Sequence, residues 1–167
     1  MGSRREARER AVQFLFQADL NHPDDIEAAL DLFWASQQSA AIADADGPAK
    51  WGESREIPPP TSKENEIRAF ADTLIRGTME HRAEIDLTLT AQAQNWDLKR
   101  MAVLDRNILR LAIYEMRFRN DIPPIVSINE AVDIAKKFST DESGKFVNGI
   151  LDKIKGELLR PARTGVE

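Results

Sequence analysis

The chain has no cysteine, and that absence excludes disulfides, cysteine nucleophiles and thiolate zinc sites together. Histidine is nearly as scarce: His22 and His81 stand alone, in no metal-ligand spacing, and read as surface residues. No run of about 18 apolar residues occurs, so no bilayer span is expected. The first residues are charged and lack an apolar segment, unlike a secretory signal. Strand-like alternation is missing, and no GxxxxGK[ST] pattern surrounds Ser143-Gly144-Lys145, which reads as the start of a helix. Carboxylate pairs such as Asp24/Asp25 and Asp141/Glu142 are accounted for as helix caps and solvated faces. No nucleophile, base and orienting group stand in plausible relation, which points away from an enzyme. The expectation is a cytoplasmic protein without metal or cofactor.

What is present is apolar and charged material in helical order. Hydrophobic residues make up 42% of 167, enough to bury the core of one domain. The net charge of -5 is unevenly spread: residues 1–18 carry +2, residues 19–97 carry -10 and residues 98–167 carry +3. Such asymmetry permits a basic, RNA-facing surface on an acidic protein.

The periodicity predicts an all-α fold of about seven helices in two small packed bundles. Ala11, Val12, Phe14, Leu15, Phe16 and Ala18 form a broad stripe on a helix from about Arg4 to Leu20. Asp24 or Asp25 caps a second helix whose buried face is Ile26, Leu30 and Phe33. Residues 41–62 hold four prolines and two glycines and read as a mobile surface insertion. Ile67, Phe70, Ala71, Leu74 and Ile75 then resume a clean stripe, and Ile85 and Leu89 mark a further helix. Asp105 is placed as the N-cap of a central helix, apolar on nearly all sides, with Leu104 stapled onto Leu109. Glu115 is the odd residue there, expected to hydrogen-bond backbone or a helix terminus. Ser127-Ile-Asn-Glu130 reads as a capping box, and Ile128, Ala131, Ile134, Ala135 and Phe138 as one core face. A break over Ser139–Ser143 precedes the last helix, where Gly149 suggests close packing. One helical domain over residues 1–160 is expected, with 161–167 as a tail.

Two constellations have binding chemistry. At about 100° per residue, Arg4, Arg5 and Arg8 share the sector of Val12, Leu15 and Phe16, so the stripe is basic in its first half. A helix end projecting past the body would look like this, and arginine's planar fork suits phosphate. The alternative is a solvated first turn with pairs such as Glu6 and Arg10. The second constellation interleaves Lys136, Lys137 and Lys145 with Phe138 and Phe146, and adds Asn148. Cations for phosphates, aromatic faces for bases and amides for base edges are the mixture that holds single-stranded RNA. Phe138 is in register for the core; Phe146 fits core and stacking platform equally.

The stretches ARERAVQFLFQADL, DRNILRLAIYEM, PPIVSINEAVDIAKKFS and KFVNGILDKI resemble the NusB family of bacterial transcription antitermination factors, over about residues 4–35 and 64–160. The resemblance implies two helical bundles, and binding of a boxA-like single-stranded RNA of ribosomal-RNA leaders together with the ribosomal protein NusE, within the transcription elongation complex. By position, Arg4, Arg5 and Arg8 match the family's arginine arm, and Phe16 stands where tyrosine is frequent. Phe146, preceded by Lys145, matches an RNA-surface aromatic, and Asp105 an acidic position facing the protein partner. Glu6 stands where some relatives have another arginine, so the arm is expected to be weaker; Phe16 lacks the hydroxyl, which retains stacking but loses a hydrogen bond. NusB-like domains also precede RNA methyltransferases, but no nucleotide-binding βαβ unit is seen here. A protein-only scaffold or homodimer is the remaining alternative, and salt dependence separates it from RNA binding.

Overall fold

A computed structural model describes residues 2–47, 51–52, 58–93 and 97–159. Among these residues the chain forms seven α-helices, a short 3-10 turn over Leu98–Arg100 and no strand. The helices are α1 (Ser3–Leu20), α2 (Ile26–Asp46), α3 (Ser62–Glu80), α4 (Arg82–Gln92), α5 (Val103–Phe118), α6 (Pro124–Phe138) and α7 (Asp141–Leu159).

α5 is the axis. Every side chain from Asn107 to Met116 is buried, as expected of a helix that meets neighbours on all sides. α1, α3, α4, α6 and α7 all lie against it, in an N-terminal group α1–α3 and a C-terminal group α4–α7. One apolar core runs through both, from Val12 and Phe14 of α1 through Leu109 and Ile113 to Val147 and Leu151 of α7. α2 closes the first group with Leu30 and Phe33; the Phe33 ring meets Phe14 edge-on at 5.5 Å and 87°. α3 approaches α5 closely at Gly77, where a Cβ would overlap the Tyr114 ring.

Several boundaries differ from the sequence reading. α2 continues through residues 41–46, because Ala40-Ala-Ile-Ala-Asp-Ala has strong helix propensity and the first breaker is Gly47, at φ +79°. The connection is correspondingly shorter; residues 48–50 and 53–57, like the tail 161–167, lie outside the described residues. α6 begins at Pro124, whose fixed φ suits a first helical position, so Ser127 sits inside the helix and caps nothing. α5 begins at Val103, which puts Asp105 in its first turn and not at the cap; Leu104 lies in that turn too, so the expected staple is absent. The break before α7 narrows to Ser139 and Thr140, with Thr140 Oγ1 accepting from Ser143 N at 3.0 Å. Gly149 has open space around it, not close packing. Phe138 is 48% exposed, because α6 ends at this residue and its stripe outruns the core.

Candidate nucleic-acid interface

The three arginines of α1 do not form a projecting arm. The first turns of α1 lie between α3 and α6: Ala7 is fully buried against Ile67 and Ala71 of α3, while Arg5 reaches α6. Arg4 lies over Phe70 of α3, Arg5 binds Glu130 of α6, and Arg8 binds Glu115 of α5 while also standing 3.5 Å from Glu130.

Arg8 is 4% exposed and turns into the core, 2.8 Å from Glu115 Oε1 on α5. Ser127 Oγ of α6 donates to the same oxygen at 3.0 Å. This corrects the expected backbone partner of Glu115: the buried carboxylate is held by a charge and a hydroxyl from two other helices. At its burial, Arg8 has next to no surface for a ligand. Arg5 bridges to α6, with Nε 3.1 Å from both oxygens of Glu130 and Nη2 2.8 Å from Asp133 Oδ2. That hydrogen bonding raises the Arg5 pKa and holds the Glu130 carboxyl below its usual range, against the opposing effect of burial. Arg4 is exposed, its guanidinium carbon 4.6 Å from the centroid of Phe70, a ring that Arg119 also approaches at 5.4 Å.

The lysines of the second constellation do converge. Between α6 and α7 lies a groove of about 710 Å³ whose walls include Arg5, Asn129, Lys136, Lys145 and Asn148, over a floor of Val126 and Val132. Its width depends on Gly144: a Cβ there would stand 2.8 Å from Lys136 Cγ, so the lysine stem rests on the bare α7 backbone. Lys136 has no ion-pair partner among the described residues. Lys145 is 76% exposed, 3.6 Å from an equally exposed Glu142, a pair too wet to hold it. Beyond the Arg5–Asp133 bridge a smaller groove of about 440 Å³ continues along α6 to Lys137. Lys137 is paired with Glu9 at 3.0 Å and lies 5.2 Å over the exposed Phe138 ring.

On the other side of Lys145 a cleft of about 510 Å³ holds Asp105 and Phe146 together, with Met101, Ala102, Glu142 and Ser143. Phe146 is half-buried and packs on the core edge, so it is at once core and cleft wall. Asp105 is 8% exposed; Oδ2 accepts from Ser143 Oγ at 3.3 Å, and Oδ1 has no partner. Burial pushes its carboxyl upward, the Ser143 hydroxyl opposing. The acidic residue expected to face a protein partner therefore shares a cleft with residues expected to face RNA. Phe16 is half-buried on α1 and is not among the residues that line these grooves.

Asn129, Glu130 and Asp133 line the groove too, although the sequence offers Asn129 and Glu130 only within a capping box and gives Asp133 no role. Their signal is there: with Val126 and Lys136 they follow 3–4-residue spacing on the face of α6 opposite Ile128, Ala131 and Ala135. Among the described residues no cluster of His, Asp and Glu could hold a metal ion, and no helix is long and apolar enough to cross a membrane.

Comparison with known proteins places this architecture. The family model for NusB matches residues 5–155. The transcription antitermination protein NusB of Geobacter sulfurreducens is 40% identical over 158 residues, which cover 95% of this chain and 97% of that one. That of Myxococcus xanthus is 40% identical over 161 residues, covering 96% and 100%. The solved structure of T. maritima NusB is 34% identical, with a TM-score of 0.68 over 92% of this chain and 91% of that one. A structure of the antitermination factors NusB and NusE in complex with dsRNA shares the fold at 24% identity, with a TM-score of 0.67 over 94% and 98%. The chain belongs to the NusB family.

Proposed function

We propose that the chain is a non-catalytic cytoplasmic adaptor in transcription antitermination, a single helical domain over residues 1–160 that binds boxA-like single-stranded RNA together with the ribosomal protein NusE. Family membership supports the antitermination role, since relatives of nearly the same length are transcription antitermination proteins. The observation that carries the RNA surface is the α6/α7 groove, where Lys136 and Lys145 from two helices face one open trough beside Asn129 and Asn148. Lysines supply phosphate charge, and the amides supply donors and acceptors for base edges. Arg5 contributes from the groove wall, Lys137 and Phe138 from its extension, and Arg4 from the Phe70 side. Arg8 acts by holding α1 to α5. The acidic middle of the chain suits a basic ribosomal partner.

The rival reading is a protein-only scaffold or homodimer, and the internal pairing of Arg5 and Arg8 favours it. Ionic strength decides between them. Two or three phosphate contacts on a single strand give a log–log slope of roughly -1.4 to -2, at about -0.7 per contact. Titration of labelled boxA-like RNA between low and high salt measures it. A flat dependence with no preference over scrambled RNA leaves the scaffold as the account.

A further inference from the structure

A second hollow lies on another side of α1. Arg5 and Glu9 of that helix turn toward α6, while Glu6 and Arg10 border a cavity of about 480 Å³ between α2 and α3. Its lining residues Trp34 and Ile67 belong to the stretches that resemble NusB, whereas Ile42 and the prolines at 58–60 lie outside them. Consecutive prolines have no N–H to give, so their wall presents rings and carbonyls. Gln38 Nε2 holds that wall to α2 by donating to Pro58 O at 2.6 Å. The indole of Trp34 donates to Asp72 Oδ1 at 2.8 Å, which satisfies its one polar atom and leaves the ring to line the cavity with carbon.

The charges at the rim leave no cation over. Arg10 stands 3.3 Å from Glu6, and Arg68 stands 2.8 Å from Asp31 and 3.5 Å from Asp72. Glu64 is exposed and has no cation partner among the described residues. Two arginines thus face four carboxylates around this cavity. A phosphate-rich strand would meet net negative charge there, whereas a basic segment meets its complement. The exposed carboxamide of Asn65 also lines the cavity with no side-chain partner among the described residues, and it offers both a donor and an acceptor.

We propose that this cavity docks an extended, basic segment of a further protein partner. One apolar side chain of that segment lies against Trp34, Ile42 and the prolines, a neighbouring lysine or arginine meets Glu64, and Asn65 takes a main-chain N–H or C=O. Peptides are held in this manner, with main-chain hydrogen bonds adding affinity and side-chain pockets specificity. The volume is that of sites that enclose a small ligand, enough for one bulky side chain. The partner is distinct from the ribosomal protein, because Asp105, the position matched to that protein, lies in another cleft. The cavity shares no residue with the α6/α7 groove or its extension, so peptide and RNA can be held at once, and the inference does not depend on the RNA reading.

The test is nuclear magnetic resonance of the isotope-labelled full chain, following the indole N–H signal of Trp34, assigned with Trp34→Phe. The probes are acetyl-Lys-Phe-Lys-amide, acetyl-Glu-Phe-Glu-amide and acetyl-Lys-Ala-Lys-amide at millimolar concentration. The basic phenylalanine probe is expected to move the signal saturably and to bind about threefold more tightly than the acidic one, the worth of an exposed charge pair. The alanine probe is expected to leave the signal in place. Ile42→Arg is expected to abolish the shift, and Glu64→Lys, an exposed change, to invert the order of the two charged probes; circular dichroism checks the fold of each. No response, an equal response to all three probes, or an unchanged order in Glu64→Lys overturns the proposal. Displacement of the probe by NusE or by a boxA-like RNA also overturns it and gives the cavity to those ligands. A signal that moves on dilution, or in Trp51→Ser without any probe, overturns it in favour of a second copy or of the chain's own fully exposed Trp51.

Discussion

The guanidinium of Arg8 lies 2.8 Å from Glu115 Oε1, with the two side chains only 4% and 2% exposed. A residue that looked like an RNA-facing arginine in the sequence thus joins α1 to α5, and Ser127 adds α6 to the same carboxylate. Removing one partner of such a pair strands the other charge out of water. Arg8→Ala is therefore expected to lower unfolding free energy by about 3–5 kcal/mol, measured by urea denaturation. The double change Arg8→Met/Glu115→Leu is expected to recover most of it. A loss under about 1 kcal/mol for Arg8→Ala contradicts the buried pair.

The glycines of α3 and α7 predict opposite outcomes for one substitution. Gly149 lies on an exposed helical surface with open space where a Cβ would go, so Gly149→Ala is expected to stabilise by about 1 kcal/mol. At Gly77 the Tyr114 ring fills that space, and Gly77→Ala is expected to destabilise by about 1–3 kcal/mol. Thermal melts of the two variants check both signs.

Asp19 gives a pH dependence. Burial raises its pKa, but hydrogen bonds from Arg106 at 2.6 Å and Asn107 at 2.9 Å, with the charges of Arg110 and Arg106, outweigh it and bring the value to about 2. A carboxyl lowered on folding stabilises fully above its unfolded pKa and loses that contribution as pH falls through the folded one. The window here is about pH 4 to 2, and the contribution at neutral pH is about 2 kcal/mol. Asp19→Asn is expected to lower stability at pH 7 and to match the wild type near pH 2; equal deficits at both pH values contradict the assignment.

The sequence made the helices legible wherever an apolar stripe was continuous. Ile67 to Ile75 and the all-round apolar run of α5 sit where the 3.6-residue period put them. What it hid was the identity of the neighbour across each face. Arg5 and Arg8 extend the α1 stripe because acids wait there on α6 and α5, at separations of 107 to 128 residues that no local pattern reports. Composition misled over residues 41–46, where nearby Pro and Gly outweighed an alanine-rich helix end. Lys136, Lys145, Phe146 and Asn148 stand close in the sequence, and α6 and α7 pack so that all four line two adjoining clefts. That α6 and α7 pack against each other accords with a two-residue connection, Ser139 and Thr140, which keeps consecutive helices adjacent.

The proposed RNA surface is the α6/α7 groove and not an arginine arm. Fluorescence anisotropy of a boxA-like RNA and a scrambled control, with and without NusE, tests it with two variants that circular dichroism confirms as folded. Lys136→Ala/Lys145→Ala is expected to lose about tenfold or more in boxA affinity and to reduce the salt slope by about 1.4, while Arg4→Ala loses less than about threefold. Full boxA binding by the lysine variant, with loss on Arg4→Ala, would contradict the account and return the site to the N-terminus of α1.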